Sequence, residues 1–378
     1  MERFKEEFFK VLDPVIAHIL DKTLDGKEVS LQEALELFKV KNMDFQALIL
    51  VADWLRRKTV GDIVTYVCNR NINFTNVCYN SCGFCAFSKK LEDPEAYLLK
   101  PEEVGLKARE AWLSGATEVC IQGGLHPEID AYYYEEIIRR VKNYAPKIHI
   151  HGFSPMEIVY GSRKAGLTPK ETLKMLREAG LGSLPGTSAE ILVDEVREKI
   201  CPKKITTKEW IETVKTAHRL GIPSTSTIMY GHIEKPEHWV THLSILREIQ
   251  KETKGFTEFI PLTFMHWKAP MYLEGKTKPG ATGFEDLKMY AVSRIFFNGL
   301  IKNIQVSWVK LGTKFAQVAL NAGANDFGGT LMEENISRSA GANTGQNLPV
   351  EEIIRIIKDA GRIPAQRTTT YQIIKINS

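Results

Sequence analysis

No stretch of this 378-residue chain reaches the roughly 18 consecutive apolar residues of a membrane-spanning helix, so no membrane association is expected. An excess of one charge is missing too. The 50 basic residues stand against 46 acidic ones, a formal net charge of +4, and so even a balance argues against a nucleic-acid surface. The first residues, MERFKEEFFKVLDPV, carry charge throughout and contain no apolar signal-peptide core; a cytoplasmic location is the expectation. Low-complexity tracts and Pro/Gly-rich linkers are also lacking, which favours one catalytic domain with extensions. Cysteine is scarce: six residues in all, too few for a disulfide scaffold in a chain this long. Yet Cys78, Cys82 and Cys85 fall together, and such local clustering reads as metal binding or redox chemistry in a reducing compartment.

What is present is enough apolar residue, 43%, to bury a sizeable core. Residues 1–65 read as a helical N-terminal extension, with Ser30 placed as a cap before VSLQEALELFKV and Gly61 closing FQALILVADWLRRKTVG. Then short β-branched or apolar runs recur over 71–76, 118–124, 148–155, 182–190, 223–232, 256–264, 303–312 and 324–331. Helical patterns such as YYEEIIRRVKNYA and ETLKMLREAG separate them, several closing on Gly as a helix C-cap does. About eight βα units predict a (β/α)8 TIM-type barrel over 66–335. Residues 336–378 are expected to form a C-terminal cap of one helix and a short extended segment. A doubly wound open sheet remains the alternative on periodicity alone.

Polar residues cluster where the predicted strands end: Thr75, Asn76, Gln122, Gly123, Gly124, His151, Ser154, Glu190, His232, His266, Lys310, Asn325 and Asp326. In a barrel these ends converge on one face, where active sites sit. Lys310, in the apolar run WVKLG, would be costly to bury without a carboxylate partner and is expected to face the cavity, with Asp326 or Glu333 as partner. Lys310, His232 and Asp326 are the candidate catalytic residues. His149 and His151 have the HxH spacing of a metal-assisted hydrolase, the reading in a different enzyme class.

The segment NFTNVCYNSCGFCAFSKK places CxxxCxxC directly after the first predicted barrel strand. Three thiolates fill three iron corners of a [4Fe-4S] cluster and leave the fourth iron open to another ligand. A structural zinc site, on a non-catalytic metal-binding barrel protein, would want a fourth N or S ligand, and no His lies between Cys78 and His126.

This loop, with Phe84 before its last Cys, resembles the signature of the radical S-adenosylmethionine (SAM) superfamily. The resemblance implies that Cys78, Cys82 and Cys85 hold the cluster and that SAM is co-substrate. It further implies that Gly123 and Gly124 approach the SAM amino group and that Glu190 reaches the ribose, with Arg197 meeting its carboxylate. Met229, in TSTIMYGHIE, would support the adenine, and Ser154 is a further SAM contact. EVCIQGGLHP, HIHGFSPMEI, GLGSLPGTSAEIL and GANDFGGTLMEENISRSAG together resemble one subfamily. It contains the tyrosine-using subunit of FO synthase and the menaquinone-pathway enzymes aminofutalosine synthase and dehypoxanthine futalosine cyclase. The likeness is strongest to the FO synthase subunit. That implies transfer of the 4-hydroxybenzyl group of L-tyrosine to 5-amino-6-(D-ribitylamino)uracil on the route to deazaflavin coenzyme F(420). A reductant protein and a separate second FO synthase subunit are the implied partners.

Overall fold

The computed structural model describes residues 9–377. Its N-terminal helices start where side chains can take up their free N–H groups. Ser30 Oγ accepts from Glu33 N at 3.2 Å while the Glu33 carboxylate accepts from Ser30 N at 2.7 Å, and the helix Leu31–Lys39 follows. The helix Asn42–Val60 stops at Gly61, whose φ of 68° suits a residue without a Cβ.

Among the described residues nine strands follow: β1 Ile63–Val67, β2 Asn69–Asn73, β3 Glu118–Gln122, β4 His149–Gly152, β5 Ser224–Tyr230, β6 Phe256–Thr263, β7 Asp326–Gly329, β8 Ile363–Arg367 and β9 Ile373–Ile376. They form sheets of order β7-β1-β8-β9, β2-β3-β4 and β5-β6. Every pairing is parallel except β8 with β9. Parallel neighbours need long crossovers, and helices such as Pro101–Leu113, Ala131–Tyr144 and Thr207–Arg219 supply them. Single parallel bridges join the sheets: His151 to Ser183, Leu184 to Ser224, Phe259 to Ile304 and Gln305 to Asp326.

Two expected strands are therefore reduced to bridges. At 182–190, Pro185 has no N–H to donate. The ladder bonds of Gly186 go to hydroxyls of β5: its N–H donates to Thr225 Oγ1 at 2.7 Å and its carbonyl accepts from Thr227 Oγ1 at 2.8 Å. At 303–312, the chain turns after Gln305 into the short helix Trp308–Leu311, so Lys310 lies on a helix and not on a strand. The C-terminal stretch forms the helix Val350–Asp359 and then β8, which pairs along β1 from Ile63–Ile363 to Tyr66–Gln366.

Where β3, β6 and β7 begin, the C-terminal tail reaches buried acids. Arg367 Nη2 donates to Asp326 Oδ1 at 3.1 Å, Tyr371 OH to Glu258 Oε2 at 2.6 Å and Thr369 Oγ1 to Glu118 Oε2 at 2.7 Å. Thr65 Oγ1 completes Asp326 at 2.6 Å, and the Arg367 guanidinium lies 4.1 Å from the Tyr371 ring centroid. No buried charge in this group lacks a partner, the condition under which buried ions are tolerated.

Candidate active site

At the opposite end, β2 runs out at Asn73 into the cysteine loop. Thr75 and Asn76 pin that loop. Thr75 Oγ1 donates to Tyr97 O at 2.6 Å and accepts from Val77 N at 3.1 Å; Asn76 Nδ2 donates to Glu95 O at 2.8 Å. The loop then closes on itself through Cys78 N to Lys89 O, 3.1 Å, and is tied outward through Gly83 N to Ile200 O, 2.9 Å. Cys201 thus packs beside the loop despite its distance in sequence, but it is buried and is not in the wall of the cavity that the loop bounds.

That cavity brings Cys78, Cys82 and Cys85 together with Gly123, Gly124, Ser154, Glu190, Met229 and Lys310. Gly124 is dictated by packing: a Cβ there would lie 2.1 Å from Val77 O, in the backbone of the cysteine loop. Its N–H donates to Thr75 O at 2.9 Å, and a Cβ on Gly123 would strike the Phe74 ring at 2.6 Å. The glycine pair therefore seats the loop on the strand end.

Two residues missed from the sequence complete this wall. Glu157 is buried, and its two carboxylate oxygens accept from Gly123 N at 3.0 Å and Ser154 N at 2.7 Å, joining the exits of β3 and β4. Burial pushes its carboxyl up to about 7 against those stabilising N–H groups. The cue was in the sequence: Ser154 and Glu157 have capping-box spacing, and they do cap the helix Pro155–Ala165. Lys204 is the second, and it forms the ion pair with Glu190 that had been expected of Arg197. Its Nζ also stands 5.3 Å from the Phe84 ring centroid. Glu190 is held at φ 45°, an unusual backbone for a residue with a side chain.

Three expected site residues lie elsewhere. The Arg197 guanidinium is buried and donates to the carbonyls of Ser188 at 3.3 Å and Ile205 at 2.6 Å; it braces the loop that carries Glu190. His232 is buried behind Met229, its Nδ1 2.8 Å from Glu234 and its Nε2 3.2 Å from Met229 O. Asp326 begins β7, so it stands at the far end in the ion network with Arg367 and is no partner for Lys310. Glu333, the other expected partner, pairs with Arg70 at 2.8 Å and Lys107 at 3.0 Å. Asn325 accepts from Arg294 Nη2 at 2.7 Å, and His266 packs against Trp267 and Tyr272. His149 and His151 both meet Ser183 Oγ, each at 2.7 Å, and burial depresses His151 to about 4.

The donor set fits the iron–sulfur group. Among the described residues no three Cys, His, Asp or Glu side chains converge as ligands of one ion do. Three thiolates that each hold a different iron need no such convergence. Burial pushes the Cys82 thiol strongly up, with Lys204 opposing; a cysteine in this setting becomes a thiolate when a metal replaces its proton.

Comparison with known proteins agrees with this geometry. The model of the radical SAM superfamily matches residues 72–246, and that of the CofH/MqnC C-terminal region matches 253–378. The 5-amino-6-(D-ribitylamino)uracil–L-tyrosine 4-hydroxyphenyl transferase of Methanocaldococcus jannaschii is 61% identical over 353 residues, 92% of this chain and 98% of that protein. The enzyme of the same name from Methanothermobacter thermautotrophicus is 57% identical, over 94% of this chain and 97% of its own. Among solved structures, methylornithine synthase superposes with a TM-score of 0.71 at 20% identity, covering 92% of this chain and 97% of that one. The FeFe-hydrogenase maturase HydG from Carboxydothermus hydrogenoformans gives 0.74 at 18%, covering 98% and 85%. At such identities the structures speak for the fold. The mixed α/β chain thus belongs to the radical SAM superfamily and, within it, to the family of the 5-amino-6-(D-ribitylamino)uracil–L-tyrosine 4-hydroxyphenyl transferases.

Proposed function

We propose that this chain cleaves the side chain of L-tyrosine and joins the 4-hydroxybenzyl group to 5-amino-6-(D-ribitylamino)uracil, a step of deazaflavin synthesis, releasing 2-iminoacetate. The observation that carries this reading is the 61% identity to a transferase of that name over 92% of the chain, together with the cysteine loop, glycine pair and charged side chains meeting in one cavity. When bound, a [4Fe-4S] cluster would supply the one-electron reductive cleavage of SAM that hydrogen abstraction from tyrosine needs. Cys78, Cys82 and Cys85 would hold the cluster. Gly123, Gly124 and Ser154 would line the methionine end of SAM, Glu190 the ribose and Met229 the adenine. Glu157 fixes the two strand exits that form this bed, and the apolar wall of Leu262, Phe264 and Met265 keeps water from the reacting carbon.

The fold in this reading is an eight-staved parallel barrel, with β1 and β2 as one stave, then β3, β4, the bridge at Ser183 and Leu184, β5, β6, the bridge at Ile304 and Gln305, and β7, while β8 and β9 lie outside it. A reductant protein would feed the cluster, and a second FO synthase subunit would complete the ring, since this chain carries one three-cysteine loop. No helix among the described residues is long and apolar enough to cross a membrane, and the enzyme is proposed to work in the cytoplasm. The test is an anaerobic incubation of iron-reconstituted protein with SAM, dithionite, L-tyrosine and the diaminouracil, read by mass spectrometry. A hydroxybenzyl adduct formed alongside 5′-deoxyadenosine is expected. Deoxyadenosine without adduct would reject the substrate and bring futalosine-type compounds forward; neither product would reject the radical reading.

A further inference from the structure

The charges around the cavity are not all paired with one another. Lys204 is paired with Glu190, and Glu157 is met by two backbone N–H groups. That leaves Lys310. Among the described residues its Nζ has no hydrogen-bond or ion-pair partner, although it stands in the cavity wall. The nearest candidate, Glu334, is spent elsewhere: its carboxylate accepts from Ser337 N at 2.9 and 3.0 Å and from Arg338 N at 3.3 Å. The wall that holds Lys310 also carries the apolar side chains of Leu262, Phe264, Met265, Ile336 and Ala340. Burial accordingly holds its ammonium below the usual lysine range, with Glu334 and Glu190 opposing from a distance.

Nor is the side chain carried by a loose segment. The short helix Trp308–Leu311 is fastened on both sides, by Trp308 Nε1 to Gly329 O at 2.9 Å and by Thr344 Oγ1 to Val309 O at 2.9 Å. A fixed, unpaired cation in an apolar wall costs stability unless an anion meets it. Among the described residues no carboxylate is bonded to Lys310, which leaves room for the carboxylate of a ligand.

We infer that Lys310 is the receptor for the α-carboxylate of an amino-acid ligand. This rests on the reading that the cavity takes SAM and L-tyrosine, both of which carry that group. A charge-assisted hydrogen bond to a carboxylate is strong and directional, and the wall beside it suits a phenol ring or a methionine chain equally. Lys310 therefore binds by carboxylate recognition, and a ligand lacking that group forfeits the contact.

The test is Lys310→Met, of similar length and without charge. At saturating SAM the KM for L-tyrosine is measured. SAM affinity is read separately, from the shift in the electron paramagnetic resonance signal of the reduced cluster on titration. Tyramine, which lacks the carboxylate, is titrated as a competitive inhibitor of both proteins. If tyrosine is the source, its KM rises roughly ten- to hundredfold with SAM affinity kept, and tyramine inhibits both proteins alike. If SAM is the source, the losses exchange places. In either case the thermal midpoint of the ligand-free variant is no lower than that of the wild type, because an uncompensated cation has been removed. Tyrosine KM and SAM affinity both within about twofold of wild type would overturn the inference. So would a fall in the thermal midpoint, which would make Lys310 a structural residue. Were wild-type protein to turn over no tyrosine, the substrate reading would fall, while SAM affinity and the thermal midpoint would still decide Lys310.

Discussion

The two ends of the parallel strands use buried charge in opposite ways. Where β3, β6 and β7 begin, Glu118, Glu258 and Asp326 are all answered by the C-terminal tail, through Thr369, Tyr371 and Arg367. Where the strands finish, the carboxylate of Glu157 accepts from two backbone N–H groups with no ion-pair partner bonded to it, and among the described residues the ammonium of Lys310 has no hydrogen-bond or ion-pair partner. The first arrangement is closed and serves the fold. The second is left incomplete, as a site must be if a ligand is to complete it. Substitutions at the two ends should therefore separate cleanly in what they damage.

The largest effect is expected at the cysteine loop. Cys82→Ser should lose iron, lose its visible charge-transfer absorption and form no deoxyadenosine, since the remaining two thiolates cannot hold the cluster at three corners. Its unfolding free energy in the iron-free state should match that of iron-free wild type within about 1 kcal/mol. A large stability loss in the iron-free protein would show that this end carries the fold as well, and the contrast would be broken.

At the far end the pattern should reverse. Arg367→Met leaves Asp326 and Glu258 buried without a counter-charge, an error worth about 3–5 kcal/mol, read by denaturant unfolding. Protein that stays folded at low temperature should keep wild-type KM values for both substrates. A selective rise in one KM would place Arg367 in the site and overturn the division. Gly124→Ala should fall between the two. Its Cβ meets the Val77 carbonyl at 2.1 Å, and the loop must move. About 1–3 kcal/mol of stability and part of the iron loading should go together, measured by unfolding and by iron assay.

The contrast also explains what could be read from the chain. The cysteine loop was legible because its three cysteines are spaced within one short stretch, where local sequence is the geometry. Gly123 and Gly124 do line the cavity, and what the structure shows to require them is the closeness of Phe74 and Val77. Lys310 was found in the cavity wall on an argument about strands, while it stands on a helix. Asp326 failed for a simple cause: in a strand of four residues, a few positions decide which end of the sheet a side chain serves, and periodicity does not resolve them. The β8–β1 pairing was out of reach because its register joins residues 63 and 363. Arg197 was read by its nearness to Glu190 along the chain, and the fold instead brings Lys204 to that carboxylate.

Glu157 offers the finest test, because its two oxygens hold the exits of β3 and β4 and its proton responds to burial. An acid whose folded-state pKa lies above its unfolded value takes up a proton on folding. With its carboxyl moved from 4.5 to about 7, wild-type stability should fall as pH rises across that window and level off above it. The span is about 3 kcal/mol at most. Glu157→Gln removes the titration, so the difference between wild-type and variant unfolding free energies should slope through this window and be flat outside it. The amide keeps one oxygen acceptor and turns an NH2 toward the other N–H, so either Gly123 or Ser154 loses its partner. SAM affinity should then weaken roughly tenfold, with the KM for tyrosine nearly unchanged. A variant that keeps SAM affinity but loses the pH slope would make Glu157 a structural acid, and the strand exits would be held in place by the glycine contacts alone.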